Sequence, residues 1–373
     1  MIYFDNAATT LKKPSNVIRE VRNCLRHYSG NPGRGAHRIS LKSGEKVYEA
    51  RERVSDFLNL SSPERVVLTY NATYAINMAI KSLIYERCHV IISDLEHNSV
   101  LRPLYRLSSD IGVEYSVYKS KAPSLTQEIE RHIRKDTKYI ISTLASNVTG
   151  EEIPMSILSD IAKRRNVGLI VDASQLIGHK ALSLKGYKFD ALCAPAHKAL
   201  FGIQGAGFCV FGGKGYLNTV TEGGSGSESR SPFMPEYLPE RLEAGTLSVP
   251  CAVALNEGIK FLNTVGIDMV EEKLSSLTEL MKERLLNIEG ITIHGANSGV
   301  ISFNLDKISP ENLAAELDKM GICVRSGLHC APLAHETIGS GERGSVRISF
   351  SYMNTKKEID TFYRIIKEIT KNL

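Results

Sequence analysis

The sequence has 373 residues, of which 42% are hydrophobic and 23% are charged, and its formal net charge is +5. This composition excludes wholly disordered and collagen-like chains, and the length indicates two domains, or one large domain with an appendage. No apolar run approaches the roughly 18 residues of a membrane span, and no basic stretch with interleaved aromatic residues indicates nucleic-acid binding.

Taken in chain order, the N-terminus MIYFDNAATT lacks the basic and apolar regions of a secretory signal, so we expect a cytoplasmic protein. Between residues 40 and 210, short β-branched runs alternate with longer amphipathic segments. The predicted strands cover 64–69, 88–94, 113–119, 138–146, 167–174, 189–195 and 205–212, and the predicted helices cover 71–84, 98–112, 124–135 and 156–166. The alternation predicts βαβ units around a mostly parallel sheet, which binds ligands at the C-terminal ends of its strands.

The pattern is lost in residues 213–250, which are rich in Gly, Ser and Pro. Their length and position beside the sheet favour an ordered or semi-ordered functional loop over a linker. Residues 251–288 read as helical with an interruption near 264–266, and the remaining strands and helices, the last helix starting from Thr355, form a smaller α+β unit. We therefore predict a large domain over 15–250 and a small domain formed by 1–14 with 251–373.

Charged segments along the chain follow a helical spacing. The segments RERVSDF, KRRNVG and KKEIDTFYRIIKEITK are interpreted as solvated helix faces.

A set of residues lies at the ends of predicted strands or in the loops after them, and we expect these residues to meet at one edge of the sheet. They are Asn71, Ala72, Thr73, His97, Asp172, Gln175 and Lys198. Pyridoxal 5′-phosphate requires such a set: a lysine for an imine, a carboxylate at the pyridine nitrogen, a flat group over the ring and a helix N-terminus for the phosphate. Each residue alone has a simpler explanation as a surface lysine or a helix cap, and only their joint placement favours the cofactor.

A second cluster, RSGLHCAPLAH (325–335), contains Cys330 on a glycine-flanked loop. A cysteine on a mobile loop can move between a substrate and an external acceptor, with Arg325, His329 and His335 as candidate neighbours. The alternative is a buried small hydrophobic residue, which is our interpretation of the other cysteines, since they lack CxxC pairs. A metal site of His329, Cys330 and His335 would lack a fourth ligand at familiar spacing. Arg347 is suited to hold a substrate carboxylate, or else forms an ordinary strand salt bridge.

Short motifs with recognisable spacing run through nearly the whole chain. They are DNAATT (5–10), NPGRGAHR (31–38), TYNATYAIN (69–77), EHNS (96–99), SNVTGE (146–151), VDASQ (171–175), AHK (196–198), RLEAGT (241–246), RSGLHC (325–330) and VRISFSYMNT (346–355). Together they resemble the cysteine desulfurases, which belong to the class V aminotransferase group close to the selenocysteine lyase branch. The resemblance implies an α/β, fold-type I pyridoxal-phosphate transferase with a large, mostly parallel sheet domain covered by helices and a smaller α+β C-terminal domain.

The resemblance also implies roles for individual residues. Lys198 resembles the Schiff-base lysine, His97 the ring-stacking residue, Asp172 the pyridinium partner, Gln175 the phenolate donor, Thr73 and His197 the phosphate ligands, Asn147 and Arg347 the carboxylate-binding residues, His37 an entrance residue and Cys330 the sulfur nucleophile. Gly245 and Thr246 resemble the segment that reaches the phosphate of the other subunit, which implies a homodimer. The backbone N–H of Ala72 would also serve the phosphate.

The chain departs from the family pattern at two positions. Many relatives have a phosphate-binding serine where this chain has Pro195, which offers neither a hydroxyl nor an N–H group, so phosphate binding would depend more on Thr73, His197 and Thr246 of the partner chain. Leu328 stands where selenocysteine-lyase-like relatives often have histidine.

The implied activity is the conversion of L-cysteine to L-alanine, with the sulfur held as a persulfide on Cys330 for a sulfur-acceptor protein or thiol. L-selenocysteine is an alternative substrate. A pyridoxal-phosphate aminotransferase or β-lyase in which Cys330 is a bystander, and a sulfur-relay protein without catalysis, remain open.

Overall fold

The computed structural model describes residues 1–33, 35–213 and 215–372, so Arg34 of the NPGRGAHR motif lies outside the described residues. The helices are α1 Ser15–His27, α2 Arg38–Phe57, α3 Ala72–Leu83, α4 Asn98–Ile111, α5 Leu125–Glu130, α6 Met155–Arg165, α7 Val249–Val265, α8 Ile267–Leu286, α9 Pro310–Lys319, α10 Pro332–Thr337 and α11 Lys356–Lys371. The strands are β1 Ile2–Tyr3, β2 Val66–Thr69, β3 His89–Ser93, β4 Glu114–Tyr118, β5 Thr137–Thr143, β6 Gly168–Asp172, β7 Ala191–Pro195, β8 Gly207–Phe211, β9 Ile291–Asn297, β10 Val300–Leu305, β11 Ile322–Cys323, β12 Arg325–Gly327 and β13 Ser345–Ser349.

The largest sheet confirms the α/β prediction. Its strands run in the order β2-β8-β7-β6-β5-β3-β4, and β3 pairs in parallel with β4 and β5, as do β5 with β6 and β6 with β7. Strand β8 is antiparallel to both β2 and β7, so β2 runs in the same direction as the parallel strands. The ends of β2, β3, β5, β6 and β7 therefore share one edge of the sheet.

Apolar residues on both faces of this sheet are buried, which is typical of a parallel sheet covered by helices. Val90 and Ile92 of β3 belong to the core cluster that includes residues of α3 and α4, whereas Ile91 belongs to the cluster that includes residues of α6 and α7. This alternation follows from side chains pointing to opposite faces along a strand.

A smaller unit follows α8. Strands β12-β13-β10-β9 form an antiparallel sheet, and β1 pairs in parallel with β11, which brings the N-terminus to this unit. Helix α11 begins with the capping box of Thr355 and Glu358 and buries Ile359, Phe362 and Ile366. The predicted domain boundaries stay a prediction.

Some predicted elements differ from the structure. The helix predicted over 124–135 ends at Glu130. Helices α1 and α2 were not recognised as full elements, because in α1 the buried stripe consists of Val17 and Cys24 alone, too few to make the helical period stand out.

The interpretation of RERVSDF as a solvated helix face is wrong for Arg51. Both terminal nitrogens of Arg51 bind the carboxylate of Glu243, at 2.7 and 2.6 Å, and both side chains are buried. The Glu243 carboxylate also accepts the N–H of Leu68 at 2.6 Å. Through these bonds Glu243 ties its segment to helix α2 and to the edge strand β2, in agreement with an ordered loop rather than a linker.

Helix α7 lies directly behind the loop that carries Lys198, and one glycine makes this approach possible. A Cβ atom at Gly258 would stand 1.9 Å from the carbonyl oxygen of Leu200, so no other residue fits without displacing that loop. In the part of the chain that the structure describes, no helix is both long and apolar enough to cross a membrane.

Candidate active site

A cavity at the shared edge of the large sheet brings the predicted cofactor residues together. Its lining includes Asn71, Ala72, Thr73, His97, Asn147, Asp172, Gln175, Pro195, His197 and Lys198. These residues come from the ends of different strands and from the turns that follow them. The parallel sheet therefore brings together residues that lie far apart in the sequence.

The turn after β2 presents the N-terminus of α3 to the cavity. Asn71 caps this helix by accepting the N–H of Tyr74 at 2.8 Å. The first N–H groups of a helix, here those of Ala72 and Thr73, have no acceptor within the helix, and the helix dipole favours an anion beside them. This end of the cavity is suited to a phosphate.

His97 caps α4 and is held by Ser99. The backbone N–H of Ser99 donates to Nδ1 of His97 at 3.0 Å, and the Ser99 hydroxyl lies 2.8 Å from both Nδ1 and the hydroxyl of Thr73. Burial lowers the pKa of His97 to about 4, while the carboxylate of Asp172 opposes this shift. At neutral pH the ring is therefore uncharged and carries its proton on Nε2.

Asp172 is the last residue of β6 and Gln175 lies in the turn that follows, and both are buried. Asp172 accepts the N–H of Ser174 at 2.9 Å through Oδ1. The side-chain amide of Gln175 donates to the carbonyl of Ala7 at 3.1 Å, so the N-terminal segment orients this amide.

Lys198 lies on the turn after β7, and its backbone is held by the N-terminal segment. The carbonyl of His197 accepts the N–H of Thr10 and the amine of Lys13, each at 3.1 Å. Burial lowers the pKa of the Lys198 amine to about 8, Asp172 raises it, and Arg347 and Arg325 lower it. About a tenth of this lysine is therefore a neutral, nucleophilic amine at pH 7, far more than for an ordinary lysine.

We expect the Lys198 amine of the protein without cofactor to titrate near pH 8, and the Asp172→Asn variant to titrate at a lower pH. The carboxylate of Asp172 stabilises the ammonium form, so its removal favours the neutral amine. The labelled fraction of the Lys198 peptide, measured by mass spectrometry against pH with an amine-reactive reagent, gives both midpoints. Lys180, which pairs with Glu152 and Glu271 at the surface, is the internal control. An unchanged or higher midpoint in the variant would contradict this electrostatic assignment.

Cys330 lies at the surface, and the alternative of a buried cysteine is wrong for it. His329 and Cys330 both adopt left-handed backbone conformations, with φ of 51° and 58°. The carbonyl of Cys330 accepts the N–H of Asn98 at 2.7 Å, and the carbonyl of His329 accepts the side-chain amide of Asn147 at 2.7 Å. These bonds hold a strained turn that ties the thiol-bearing loop to the cavity.

The histidines near Cys330 turn inward. His329 and His335 are buried, their rings stack at 5.3 Å between centroids, and burial lowers both pKa values. Both rings are therefore neutral. Among the described residues, no group of three or more His, Cys, Asp or Glu side chains is placed to hold a metal ion. All seven cysteines are free, and Cys251 and Cys323 are partly exposed, which corrects the interpretation of the other cysteines as buried.

Arg347 lies on β13 with 1% of its surface exposed. One terminal nitrogen donates to Asp5 at 2.7 Å and the other to the carbonyl of Asn147 at 2.9 Å. The salt bridge expected under the alternative interpretation is therefore present, with Asp5 as the partner. Arg347 does not line the cavity, and its role in holding a substrate carboxylate stays a prediction.

Five predicted site residues are not part of the lining of this cavity: Cys330 and Arg347, described above, and His37, Gly245 and Thr246. His37 is exposed and caps α2 by accepting the N–H of Ser40 at 3.3 Å. Gly245 and Thr246 are exposed. Both line a cleft that is separate from the cavity, and Thr246 also lines a second such cleft. Their roles stay predictions.

The sequence did not reveal that Asp5, Ser99 and Lys13 contact the functional residues. Ser99 could have been found from its position two residues after His97, which is where a cap accepts an N–H group. Asp5 and Lys13 act across more than 180 residues of chain, on Arg347 and on the carbonyl of His197, and no local pattern signals such contacts.

Comparison with known proteins agrees with this geometry. The sequence model of the family described as Aminotransferase class-V matches residues 2–362. A probable cysteine desulfurase of Methanothermobacter thermautotrophicus is 32% identical, with 99% of this chain and 94% of the relative aligned. A probable cysteine desulfurase of Pyrococcus abyssi is 30% identical, over 100% of this chain and 95% of the relative.

Solved structures give the same result. The apo structure of a cysteine desulfurase from Thermococcus onnurineus is 29% identical and superposes with a TM-score of 0.91, covering 100% of this chain and 95% of the other. A cysteine desulfurase from Escherichia coli, 23% identical, shares the fold with a TM-score of 0.90 over 100% of this chain and 95% of its own.

Proposed function

Because the chain belongs to the aminotransferase class-V family and is a cysteine desulfurase within it, we propose that it uses pyridoxal 5′-phosphate to take sulfur from L-cysteine as a persulfide on Cys330. One observation carries this proposal. The backbone of the exposed Cys330 is hydrogen-bonded to Asn98, the residue next to His97 in the cavity that also contains Lys198 and Asp172.

The residues of the cavity fit this cofactor. Nδ1 of His197 is buried and has no hydrogen-bond partner among residues 1–33, 35–213 and 215–372, which suits a phosphate or ring-oxygen ligand. Burial lowers the pKa of the Lys198 amine to about 8, and the carboxylate of Asp172 is buried within the same lining. When bound, pyridoxal phosphate supplies an aldehyde that joins to amines and a protonated ring that withdraws electrons.

Lys198 would hold the cofactor and move the substrate's α-proton, since an amine with a pKa near 8 exchanges protons readily at neutral pH. Asp172 would keep the ring nitrogen protonated, and the neutral His97 would lie against the ring. Thr73, the N–H of Ala72 and His197 would bind the phosphate, and Gln175 would donate to the ring oxygen.

Cys330 would attack the sulfur of L-cysteine as a thiolate. The bond between the two sulfur atoms forms while the carbon–sulfur bond of the substrate breaks, and the carbon takes a proton. L-cysteine and the Cys330 thiol thus become L-alanine and the Cys330 persulfide, with atoms and electrons balanced. The exposure of Cys330 supports later transfer to an acceptor protein or thiol, and Arg347 with Asn147 would hold the substrate carboxylate.

We also propose a homodimer in which Gly245 and Thr246 of one subunit reach the phosphate of the other, with His37 near the entrance. The support for the dimer is that Gly245 and Thr246 are exposed and do not line the cavity of their own chain. Because Pro195 in the lining offers no hydroxyl or N–H group, this contribution would matter more here.

A product assay separates this function from its relatives. Purified protein with the cofactor and a thiol reductant should convert L-cysteine to equal amounts of L-alanine and sulfide. An aminotransferase would instead form a second keto acid from an amino acid and a keto acid without thiol, and a β-lyase would release pyruvate. Faster turnover of L-selenocysteine than of L-cysteine would reassign the enzyme as a selenocysteine lyase. Either keto-acid result, without alanine, would overturn the proposal.

A further inference from the structure

Arg347 presents a problem of charge. Its guanidinium is almost completely buried, and burying an unpaired charge is costly. Asp5 is its acidic partner, 2.7 Å away, within the described chain. The Asp5 side chain is 21% exposed, so the pair joins a buried guanidinium to a partly exposed carboxylate.

A second arginine adds to the positive charge that the Asp5 carboxylate must balance. Arg325 on β12 and Arg347 on β13 are direct cross-strand partners in an antiparallel pair. Like charges directly opposite each other repel, and nothing in the local strand pairing compensates for this. A carboxylate beside Arg347 reduces the repulsion and favours one position of the guanidinium.

The N-terminal segment is built to deliver that carboxylate. Residues after β1 run beside β13, where the N–H of Ser349 donates to the carbonyl of Phe4 at 2.6 Å and the N–H of Ala7 donates to the Ser349 hydroxyl at 2.8 Å. Asp5 itself forms a parallel bridge with Ser349. The backbone on both sides of Asp5 is therefore fixed, and its carboxylate has little freedom to leave Arg347.

Arg347 still has capacity to bind a ligand. Asp5 and the Asn147 carbonyl each take one terminal nitrogen, while Nε has no partner within the residues described. The guanidinium has further N–H groups in a planar fork, which suits a second carboxylate. The charges of Arg347 and Asp5 both act on the Lys198 amine, so this fork lies near the reacting centre.

We propose that Asp5 is a positioning residue, which orients the Arg347 guanidinium so that its remaining N–H groups receive the α-carboxylate of the amino-acid substrate. This inference rests on the proposed function, because it requires Arg347 to bind that carboxylate. Asp5 acts through Arg347 and makes no contact with the substrate carboxylate, which carries the same charge.

The test compares kinetic constants of holoenzyme variants with L-cysteine. Asp5→Ala should raise KM about 10-fold, the size expected when a hydrogen bond to a charged group is lost, and should change kcat less. Asp5→Asn keeps an oxygen acceptor for Arg347 and should restore most of the affinity. Asp5→Glu, whose carboxylate is one methylene further from the backbone, should raise KM by displacing the guanidinium while keeping the charge pair.

Two controls separate positioning from loss of structure. Lys12→Ala removes a different side-chain tie of the N-terminal segment, the surface pair with Glu358, without touching Asp5 or Arg347, and should leave KM nearly unchanged. Cysteamine, which lacks a carboxylate, should be turned over equally by the parent and by Asp5→Glu. This comparison tests the inference even if Asp5→Ala fails to fold. Equal effects of the Asp5 variants on both substrates would overturn the inference.

The Arg347→Ala variant distinguishes a failure of the positioning role of Asp5 from a failure of the proposed function. If Arg347→Ala raises KM for L-cysteine but Asp5→Ala and Asp5→Glu do not, the positioning role is wrong and the role of Arg347 stands. If Arg347→Ala itself leaves KM unchanged, the substrate role assigned to Arg347 fails and the inference falls with it.

Discussion

Replacing Lys198 by alanine is expected to lower the production of L-alanine from L-cysteine by at least about 10⁴-fold. The variant loses both the amine that would hold the cofactor and the group that would move the α-proton. A second measurement, the position of the covalently bound cofactor, does not depend on activity. Borohydride reduction of the parent with bound cofactor should attach a stable label to the peptide that contains Lys198, and the variant should show none there.

Lys180→Ala is the matched control. Lys180 lies in the connection between β6 and β7, and its amine pairs with Glu152 and Glu271 outside the cavity. It should keep both the activity and the label at Lys198. A label on another lysine in the parent, or an active Lys198→Ala variant, would remove the basis of the proposed cofactor site.

Replacing Cys330 by alanine is expected to reduce desulfuration at least about 10³-fold while cofactor binding is kept. The lining of the cavity includes Lys198, Asp172 and His97 but not Cys330, so the substitution removes the nucleophile without disturbing the cofactor residues. After a single turnover with L-cysteine, mass spectrometry of the parent should find one added sulfur atom on the Cys330 peptide.

Cys251→Ala serves as the comparison, since Cys251 is a partly exposed thiol that lies on α7, away from the Cys330 loop. Its activity and the persulfide on Cys330 should match those of the parent. Equal alanine production by Cys330→Ala and the parent would show that the thiol is a bystander and would favour the aminotransferase or β-lyase alternative.

Local sequence patterns were sufficient to predict most of the large sheet and the grouping of Lys198, Asp172 and His97. The hydrophobic period identifies a strand from its own residues, and the ends of parallel strands necessarily share an edge. The same reasoning extended the α5 helix too far, because charged residues after Glu130 keep a helical spacing although the chain turns there.

The Cys330 loop shows the limit of this approach. Sequence reasoning selected Cys330 but could not decide that its side chain is exposed while His329, its neighbour, stacks on His335 in the interior. That choice depends on two successive left-handed residues, whose strain is tolerated because Asn98 and Asn147 bind the turn from other parts of the chain.

The sequence by itself determined the fold class, the order of the strands and helices between residues 64 and 212, and the strand ends at which the cofactor residues stand, since each is encoded within a few consecutive residues. Only the tertiary structure decided which charges meet. Asp5 pairs with Arg347 across 342 positions of chain, and Arg51 pairs with Glu243 across 192. A buried charge must find an opposite charge wherever the fold provides one, and that partner is set by packing rather than by neighbouring residues.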